Sequence, residues 1–397
     1  MLFNFNDLQL DIGRRELRRG AGLVELEPQV FDLLVYLVQN RDRIVTKDDL
    51  IAAVWGGRIV SESTLSSRIA AVRRAIGDSG EQQALIRTAA RKGIRFVGTV
   101  SEQTGLDSAA PVAKSPVAPR RQEIHFCTAS DGARIAYAEV GEGPPLIKAA
   151  NWLNHLEYDW ESPIWSHLLH DLAASNRLIR YDARGNGLSD WEVADISFDA
   201  FVHDLETVVE ATGRERFALF GISQGCAVSI AYAVRHPERV SRMILFGGYA
   251  RGRRVRGSQS EIAQSDAILT LMRDGWGKEN PEFRMIFTSR FVPNATAEQM
   301  RWFNDLQRKT TSPENAMRIR LAMDNIDVTP LLPQVRVPTL VLHCRDDGAA
   351  PFEEGRRLAA GIPGARFVAL EGANHLILDT DPSWGRFLEE ITEFLRH

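Results

Sequence analysis

The sequence has few cysteines: three in 397 residues, Cys127, Cys226 and Cys344. An odd, widely spaced set argues against a disulfide framework and for a reducing compartment, so we expect a cytoplasmic protein. A signal peptide is not evident, because the first twenty residues lack a basic start followed by an apolar core. No uncharged run approaches the ~18 residues needed to cross a bilayer, so we expect no membrane association.

Motifs for common cofactors are also missing. The sequence contains no phosphate-binding loop, no dinucleotide fingerprint and no CxxC pair, so we expect neither a cofactor nor a metal. The formal net charge of −4 is small but unevenly distributed, since residues 1–100 hold 15 Lys and Arg against 12 Asp and Glu. The basic excess therefore lies at the N-terminal end.

A linker is predicted over residues 101–121, SEQTGLDSAAPVAKSPVAPRR, which are rich in proline and small residues and show no apolar periodicity. It separates a unit of about a hundred residues, 1–100, from a larger one, 122–397. We therefore expect a multidomain protein whose two units can move relative to each other.

The first unit reads as a small sheet, three helices and a basic hairpin. Alternating segments such as LFNFNDLQLD predict antiparallel strands. In the third helix Leu65, Ile69, Val72 and Ile76 recur at helical spacing, which leaves small polar residues and arginines on the opposite face. The final hairpin is RTAARKGIRF. This order predicts a winged helix-turn-helix of the α+β class.

The segments FDLLVYLVQNRDRIVTKDDLIAAVW, SSRIAAVRRAIGD and RKGIRF resemble the OmpR/PhoB-type winged-helix DNA-binding domain of bacterial transcriptional regulators. The resemblance covers the whole unit and implies promoter or operator DNA as a partner, with a recognition helix over residues 62–76. A two-fold DNA site would favour a homodimer. The implied DNA contacts are Ser66, Ser67, Arg68, Arg73 and Arg74 on the helix, with Arg91 and Lys92 on the wing.

Two other interpretations of this unit stay open. The arginines are also what a solvated helix face would carry, and the fold can serve as a protein-interaction module. The modest net charge of +3 leaves room for the second, because electrostatic affinity for DNA grows with the number of phosphates neutralised.

The second unit alternates short apolar strands with helical stretches, which predicts a mostly parallel sheet covered on both faces. Ser223 lies in GISQG, between the strand RFALFG and a helix, where a sharp turn can expose a nucleophilic hydroxyl. A serine needs an imidazole base and a carboxylate that orients it. Asp347, with Asp346 as the alternative, and then His375 follow in that order after later strands.

YDARGNGLSD, GISQG, the Asp347 segment and GANH resemble the α/β-hydrolase superfamily, particularly its esterase, lactonase and cofactor-free haloperoxidase-like branch. The resemblance implies an α/β-hydrolase fold in which residues of about 251–330 form a helical lid over the pocket. It supports Ser223, Asp347 and His375 as the catalytic residues.

The sequence departs from this family after the third strand, where members usually show His-Gly. The corresponding stretch is AANWLNHLEYDW, in which Asn151 replaces the glycine. The backbone N–H groups of Trp152 and Gln224 are then the candidate oxyanion donors. We expect Asn151, His155 and Trp191 at the pocket, although the aromatic residues could instead pack beneath it.

Together these features predict a one-component transcriptional regulator that binds DNA through the winged helix and a small organic ligand or substrate through the hydrolase unit. The complete Ser-Asp-His set indicates hydrolysis of an ester, thioester or lactone. Two alternatives stay open: a catalytically inactive ligand sensor, and a hydrolase for which the winged helix is only a tether.

Overall fold

The computed structural model describes residues 2–12, 15–20, 22–24, 26–55, 60, 62–89, 92–103, 121–276, 278–280 and 282–396. The chain divides into two compact units, Met1–Ser115 and Pro116–His397. Among the described helices, none combines the length and the apolar character that crossing a membrane requires.

The N-terminal unit contains an antiparallel sheet, three helices and a separate two-stranded hairpin. The strand order in the sheet is β4-β3-β2-β1-β7, and β5 pairs with β6 in the hairpin. The strands are β1 Leu2–Phe5, β2 Leu8–Asp11, β3 Glu16–Arg19, β4 Gly22–Val24, β5 Ile86–Ala89, β6 Gly93–Phe96 and β7 Ser101–Gln103. The helices are α1 Pro28–Gln39, α2 Lys47–Trp55 and α3 Glu62–Ile76.

Apolar residues at helical spacing hold this unit together. Leu33, Leu34 and Leu37 of α1 are fully buried, and Leu65 and Val72 of α3 are nearly so. Burying a side chain of this size contributes about 1.5–3 kcal/mol. Because these residues occupy one face of α3, its other face is free to carry polar side chains. The winged helix-turn-helix predicted from the sequence is confirmed.

The predicted linker begins too early. Ser101–Gln103 forms β7, which pairs antiparallel with β1 in the register Leu2 with Gln103 and Asn4 with Ser101. Ladder hydrogen bonds to β1 therefore order the first three residues of that segment, even though they show no apolar periodicity. The rest of the predicted linker up to residue 120 lies outside the described residues.

The C-terminal unit is built on an eight-stranded sheet of order β15-β14-β13-β12-β10-β11-β9-β8. Pairing is antiparallel from β8 through β9 to β11 and parallel in the remainder. The strands are β8 Glu123–Thr128, β9 Arg134–Val140, β10 Pro145–Lys148, β11 Arg177–Tyr181, β12 Phe217–Ile222, β13 Val240–Phe246, β14 Thr339–Cys344 and β15 Arg366–Leu370.

Helices lie between these strands, as the alternating pattern of the sequence predicts. Those outside the lid are α4 Leu156–Trp160, α5 Ser166–Ser175, α6 Phe198–Thr212, α7 Gln224–Arg235, α13 Phe352–Gly361 and α14 Trp384–Arg396, with a 3-10 helix at Thr329–Gln334. Between β13 and β14, the described residues form five α-helices ahead of that 3-10 helix: α8 Arg253–Arg256, α9 Gln259–Gly275, α10 Glu282–Phe291, α11 Ala297–Thr310 and α12 Pro313–Asp324. They occupy the place of the predicted lid.

The sheet determines where a site can form. Every residue of β12 and of β14 is buried, as expected for central strands covered on both faces. In such sheets the loops at the carboxyl ends of the strands meet along one edge and carry the functional residues. Ser223, Asp347 and His375 all lie in loops that follow a strand in this way.

Candidate functional site

Ser223 occupies a sharp turn between β12 and α7. Its φ is 55° and its ψ is −125°, a conformation that a residue with a Cβ rarely adopts. Two glycines make the turn possible: a Cβ at Gly221 would lie 2.7 Å from the Cα of Cys226, and one at Gly225 would lie 2.9 Å from the carbonyl oxygen of Ala150. The two glycines of G-x-S-x-G therefore allow the close backbone approach that the turn needs. The turn places Ser223 at the start of α7.

His375 and Asp347 form a hydrogen-bonded pair. The Nδ1 of His375 lies 2.6 Å from the Oδ2 of Asp347, and both side chains are 1% exposed. The other oxygen of Asp347 accepts the backbone N–H groups of Ala349 and Ala350 at 2.8 and 2.9 Å. The two backbone N–H groups thus fix the carboxylate of Asp347, and the carboxylate in turn fixes the imidazole of His375.

The charge of Asp347 follows from the same contacts. Burial alone would favour the neutral acid, but the charge of His375, its hydrogen bond and the Ala350 amide lower the pKa of Asp347 below its ordinary value. The carboxylate is therefore ionised near neutral pH. Asp346, the alternative acid, is exposed, and its backbone N–H donates to the carbonyl of Gly372.

The second nitrogen of His375, Nε2, is not engaged by Asp347. Nε2 is buried and has no hydrogen-bond partner among the described residues. Ser223 and His375 line the same cavity, together with Trp152, Tyr249 and residues of helices α8, α10 and α12. With Nδ1 held by Asp347, Nε2 is the nitrogen that can exchange a proton in this cavity.

The lid contacts the loop that carries His375. The N–H of His375 donates to the carbonyl of Phe291 at 2.8 Å, and the two rings meet edge to face at 5.3 Å. Phe291 is the last residue of α10. A shift of this helix would therefore disturb the position of the imidazole.

The candidate oxyanion donors are the backbone N–H groups of Gln224, which directly follows Ser223, and of Trp152. Gln224 is the first residue of α7, where backbone N–H groups have no partner within the helix and favour a negative charge. Trp152 lines the cavity, and its ring packs against Trp276 of the segment after α9 at 5.8 Å. The oxyanion role of these two N–H groups stays a prediction.

Three of the residues predicted at the pocket are not among the described residues that line the cavity of Ser223. Asn151 is 2% exposed and accepts a hydrogen bond from the Nζ of Lys148, beneath the cavity. His155 caps α4 and lines a separate cavity with Trp302. Trp191 donates to the carbonyl of Gly187 at the surface. Trp152, the neighbour of Asn151, does line the cavity of Ser223.

Asn151 belongs to a buried polar cluster beneath the sheet edge. Burial lowers the pKa of Lys148 to about 7 and raises the pKa of Asp182 to about 8. Asp182 accepts the side-chain amide of Asn154 and the backbone N–H groups of Leu156 and Leu188. Its contacts are those of a loop support, consistent with its place in YDARGNGLSD.

The sequence reasoning missed the arginines of the cavity. Arg253 and Arg256 of α8 and Arg320 of α12 line it beside Ser223 and His375. The sequence did contain a signal for them, the arginine-rich run RGRRVRG at residues 251–257. The run comes shortly after a central strand, where so many cations are more than an ordinary helix surface carries.

The predicted DNA contacts on α3 fall into two groups. Ser66, Ser67 and Arg74 are exposed, and Lys92 is exposed in the turn between β5 and β6. These four residues are accessible to a partner. Arg91, the other predicted wing contact, lies outside the described residues.

Arg68 and Arg73 have partners within the unit. Arg73 donates through Nη2 to the carbonyl of Ile86 at 3.1 Å and to the hydroxyl of Thr88 at 2.9 Å. It thereby joins α3 to the first strand of the hairpin. Arg68 forms an ion pair with Glu27. A DNA contact by either residue requires exchanging these partners.

Two protein families match the chain. The family described as "alpha/beta hydrolase fold" matches residues 152–382, and "Transcriptional regulatory protein, C terminal" matches residues 21–96. Each match falls within one of the two compact units.

Individual relatives match the second unit. The AB hydrolase superfamily protein YisY of Bacillus subtilis (strain 168) is 27% identical over 268 residues, which cover 63% of this chain and 92% of the relative. A putative carbamate hydrolase, RutD, of Rhizobium rhizogenes is 25% identical, over 58% of this chain and 87% of the relative. The crystal structure of a hydrolase from Pseudomonas aeruginosa matches 69% of this chain and 98% of its own, with a TM-score of 0.58 and 22% identity.

Proposed function

This chain belongs to the alpha/beta hydrolase fold family, and on that premise we propose that it is a DNA-binding transcriptional regulator that hydrolyses a small carboxylic ester, thioester or lactone. One observation carries the catalytic half: Ser223 and His375 line one cavity while Asp347 holds the Nδ1 of His375 at 2.6 Å. The N-terminal match to a transcriptional regulatory domain carries the other half.

The reaction proceeds in two steps. The Nε2 of His375 takes the proton of the Ser223 hydroxyl as its oxygen attacks the substrate carbonyl, and Asp347 stabilises the imidazolium. The backbone N–H groups of Trp152 and Gln224 donate hydrogen bonds to the negatively charged oxygen of the tetrahedral intermediate. His375 then protonates the leaving group, and water activated by the same imidazole releases the acyl group from Ser223.

The triad is tested by covalent labelling with a fluorophosphonate, which reacts with activated serines. We expect the full-length protein to be labelled and the Ser223→Ala protein not to be. Ser229→Ala is a matched control, since this buried serine of α7 donates to the carbonyl of Gly225 in the preceding turn. Equal labelling of wild type and Ser223→Ala would refute the assignment of Ser223.

The bond that is cleaved is tested with esters, thioesters, lactones and carbamates of equal acyl size. The carbamate is included because a relative carries that activity in its name. We expect turnover of at least one ester, thioester or lactone that depends on Ser223. If only the carbamate is hydrolysed, the proposal that Ser223 is the nucleophile stands, but the proposed substrate class has to be replaced by carbamates.

DNA binding is tested by electrophoretic mobility shift of full-length protein with promoter fragments at several salt concentrations. We propose that Ser66, Ser67, Arg68, Arg73 and Arg74 contact the groove or the phosphates, and that Arg91 and Lys92 contact DNA from the wing. Sequence-preferring binding that weakens with salt supports the regulator. Binding without salt dependence or sequence preference would leave the winged helix as a tether.

A ligand sensor without turnover is the second candidate. It is favoured by one observation, the replacement of the family's glycine by Asn151, whose side chain is held by Lys148. Losing a single oxyanion donor can cost roughly 10²- to 10³-fold in rate. The sensor predicts ligand binding with neither fluorophosphonate labelling nor turnover.

A further inference from the structure

Three arginines surround the cavity that contains Ser223 and His375. Arg253 and Arg256 come from α8 and Arg320 from α12, and Asp324 is the one carboxylate among the residues lining that cavity. None of the three is needed by the serine mechanism. Their concentration beside a nucleophile requires another explanation.

Arg320 is the most deeply buried of the three, at 4% exposure. Its Nε donates to both oxygens of Asp324, at 3.0 and 3.1 Å. Asp324 also accepts the hydroxyl of Ser265 at 2.7 Å, so its oxygens are well occupied. The Nη2 of Arg320 is buried and has no hydrogen-bond partner among the described residues. Leaving a buried donor of a charged group unpaired is unfavourable, and a bound acceptor would remove that cost.

Arg253 and Arg256 add positive charge that the surroundings do not balance. Arg253 donates to the carbonyl of Ala349 at 3.2 Å, and Arg256 lies over the ring of Tyr249 and donates to the carbonyl of Arg251. Both acceptors are neutral. Burial, followed by repulsion from Arg320 and Arg290, lowers the pKa of Arg253 to about 9.

The nearby carboxylates are committed to other groups. Glu354 accepts the side chain of Arg251 and the backbone N–H groups of Ala250 and Arg251. Glu261 accepts the N–H and hydroxyl of Ser258 at the start of α9. The cavity is therefore left with an excess of positive charge.

A second cavity continues from the first. It shares Arg253, Arg256 and Ala349 with the cavity of Ser223 and is also lined by Ser265 and Arg290. The two shared arginines therefore line both cavities. A ligand that reaches from one cavity to the other would pass them.

We infer that the substrate carries a carboxylate on its acyl side, which Arg253, Arg256 and Arg320 bind while Ser223 attacks the ester carbonyl. The guanidinium groups present paired N–H donors that match the two oxygens of a carboxylate. This inference rests on the proposed hydrolase function and specifies its substrate class.

The test compares two esters that differ only in charge: the mono-4-nitrophenyl ester of glutaric acid and the 4-nitrophenyl ester of glutaramic acid. Hydrogen bonds to charged groups of about 1.5–3 kcal/mol predict a kcat/KM about 10- to 100-fold higher for the carboxylate. In Arg253→Met, which removes a guanidinium that donates to the carbonyl of Ala349, we expect the kcat/KM ratio of the carboxylate ester to the amide ester to fall most of the way to one.

The control is Arg318→Met. Arg318 lies on the same helix as Arg320 but donates to the carbonyls of Val193 and Ala194 and does not line the cavity. We expect it to keep the wild-type preference. Equal kcat/KM for the two esters in the wild type, or an unchanged preference in Arg253→Met and Arg256→Met, would overturn the inference.

Binding separates this inference from the hydrolase proposal. Glutarate and its neutral diamide are titrated into Ser223→Ala and followed by tryptophan fluorescence, since Trp152 lines the cavity. Selective binding of glutarate supports the carboxylate site even if no ester is turned over. Hydrolysis of both esters at equal rates, with no selective binding of glutarate, would leave the hydrolase standing and remove the carboxylate site.

Discussion

The two candidate sites differ in how their residues are held. Ser223, Asp347 and His375 are buried, and hydrogen bonds or close backbone contacts fix them at the edge of a covered sheet. Ser66, Ser67 and Arg74 instead lie exposed on one helix face. A buried site constrains both the type and the position of each residue. A site on an exposed helix constrains only which face of the helix its residues occupy. The sequence alone therefore does not show whether an arginine there contacts a partner or packs within its own unit.

Among the substitutions that test this comparison between the buried and the exposed site, the largest effect is expected at Asp347. Asp347→Asn leaves a neutral amide beside His375, which can no longer stabilise the imidazolium or hold its tautomer. We expect kcat for 4-nitrophenyl ester hydrolysis to fall about 10³- to 10⁴-fold. Asp346→Asn changes the adjacent exposed carboxylate and should retain wild-type kcat. A comparable loss at Asp346 would mean that the acid has been assigned to the wrong neighbour.

An intermediate effect is expected at Asp78, where the winged helix has a buried carboxylate of its own. Its oxygens accept the backbone N–H groups of Ser79, Ala84, Leu85 and Ile86, which fixes the segment leading into the hairpin. Asp78→Asn replaces one acceptor oxygen with a donor, and we expect a loss of about 1.5–3 kcal/mol in local stability. Faster amide hydrogen exchange over residues 79–96 of the full-length protein would measure it.

Acidification should reproduce this loss. Although burial opposes ionisation, the four amides lower the pKa of Asp78 below its ordinary value. Its contribution is therefore complete above the unfolded carboxyl pKa of about 4 and is lost as pH falls through the lower folded value. In Asp78→Asn this part of the acid dependence should vanish. Unchanged exchange in the hairpin would show that other contacts hold it.

The smallest effects compare two adjacent arginines of α3. Arg74→Ala should weaken DNA binding and reduce the slope of log K against log salt by about 0.9, without changing thermal stability. Arg73→Ala should lower the melting temperature of the winged helix, because its two hydrogen bonds to β5 are worth about 1 kcal/mol each. Fluorescence anisotropy with labelled promoter DNA and calorimetry measure the two quantities. The reverse result would exchange the roles of the two residues.

The sequence predicted most reliably what depends on local pattern. The apolar spacing of α3 gave its buried face, the winged-helix resemblance gave its bounds, and the glycines of GISQG gave the turn at Ser223. Contacts between distant segments were harder to predict. Arg320 reaches the cavity from a helix almost a hundred residues beyond Ser223, and no local pattern reports which face of α12 turns toward the sheet edge.

The pocket predictions failed for a related reason. Asn151, His155 and Trp191 lie near the right strands in sequence, but the backbone turn after β10 decides which side chain faces Ser223. Leu153 has a φ of 54°, so the chain reverses there in a conformation that its residue type does not signal. Only Trp152 is left pointing into the cavity.

The pairing of β7 with β1 bears on where the winged helix can be cut away from the hydrolase unit. A fragment ending at residue 100 would remove the three residues that pair with Leu2, Phe3 and Asn4. The outer side of β1 would then present unpaired N–H and C=O groups, which invite another chain to add a strand. Isolated copies would tend to associate through that edge, and a two-fold species seen with such a fragment would be a product of truncation instead of a property of the regulator.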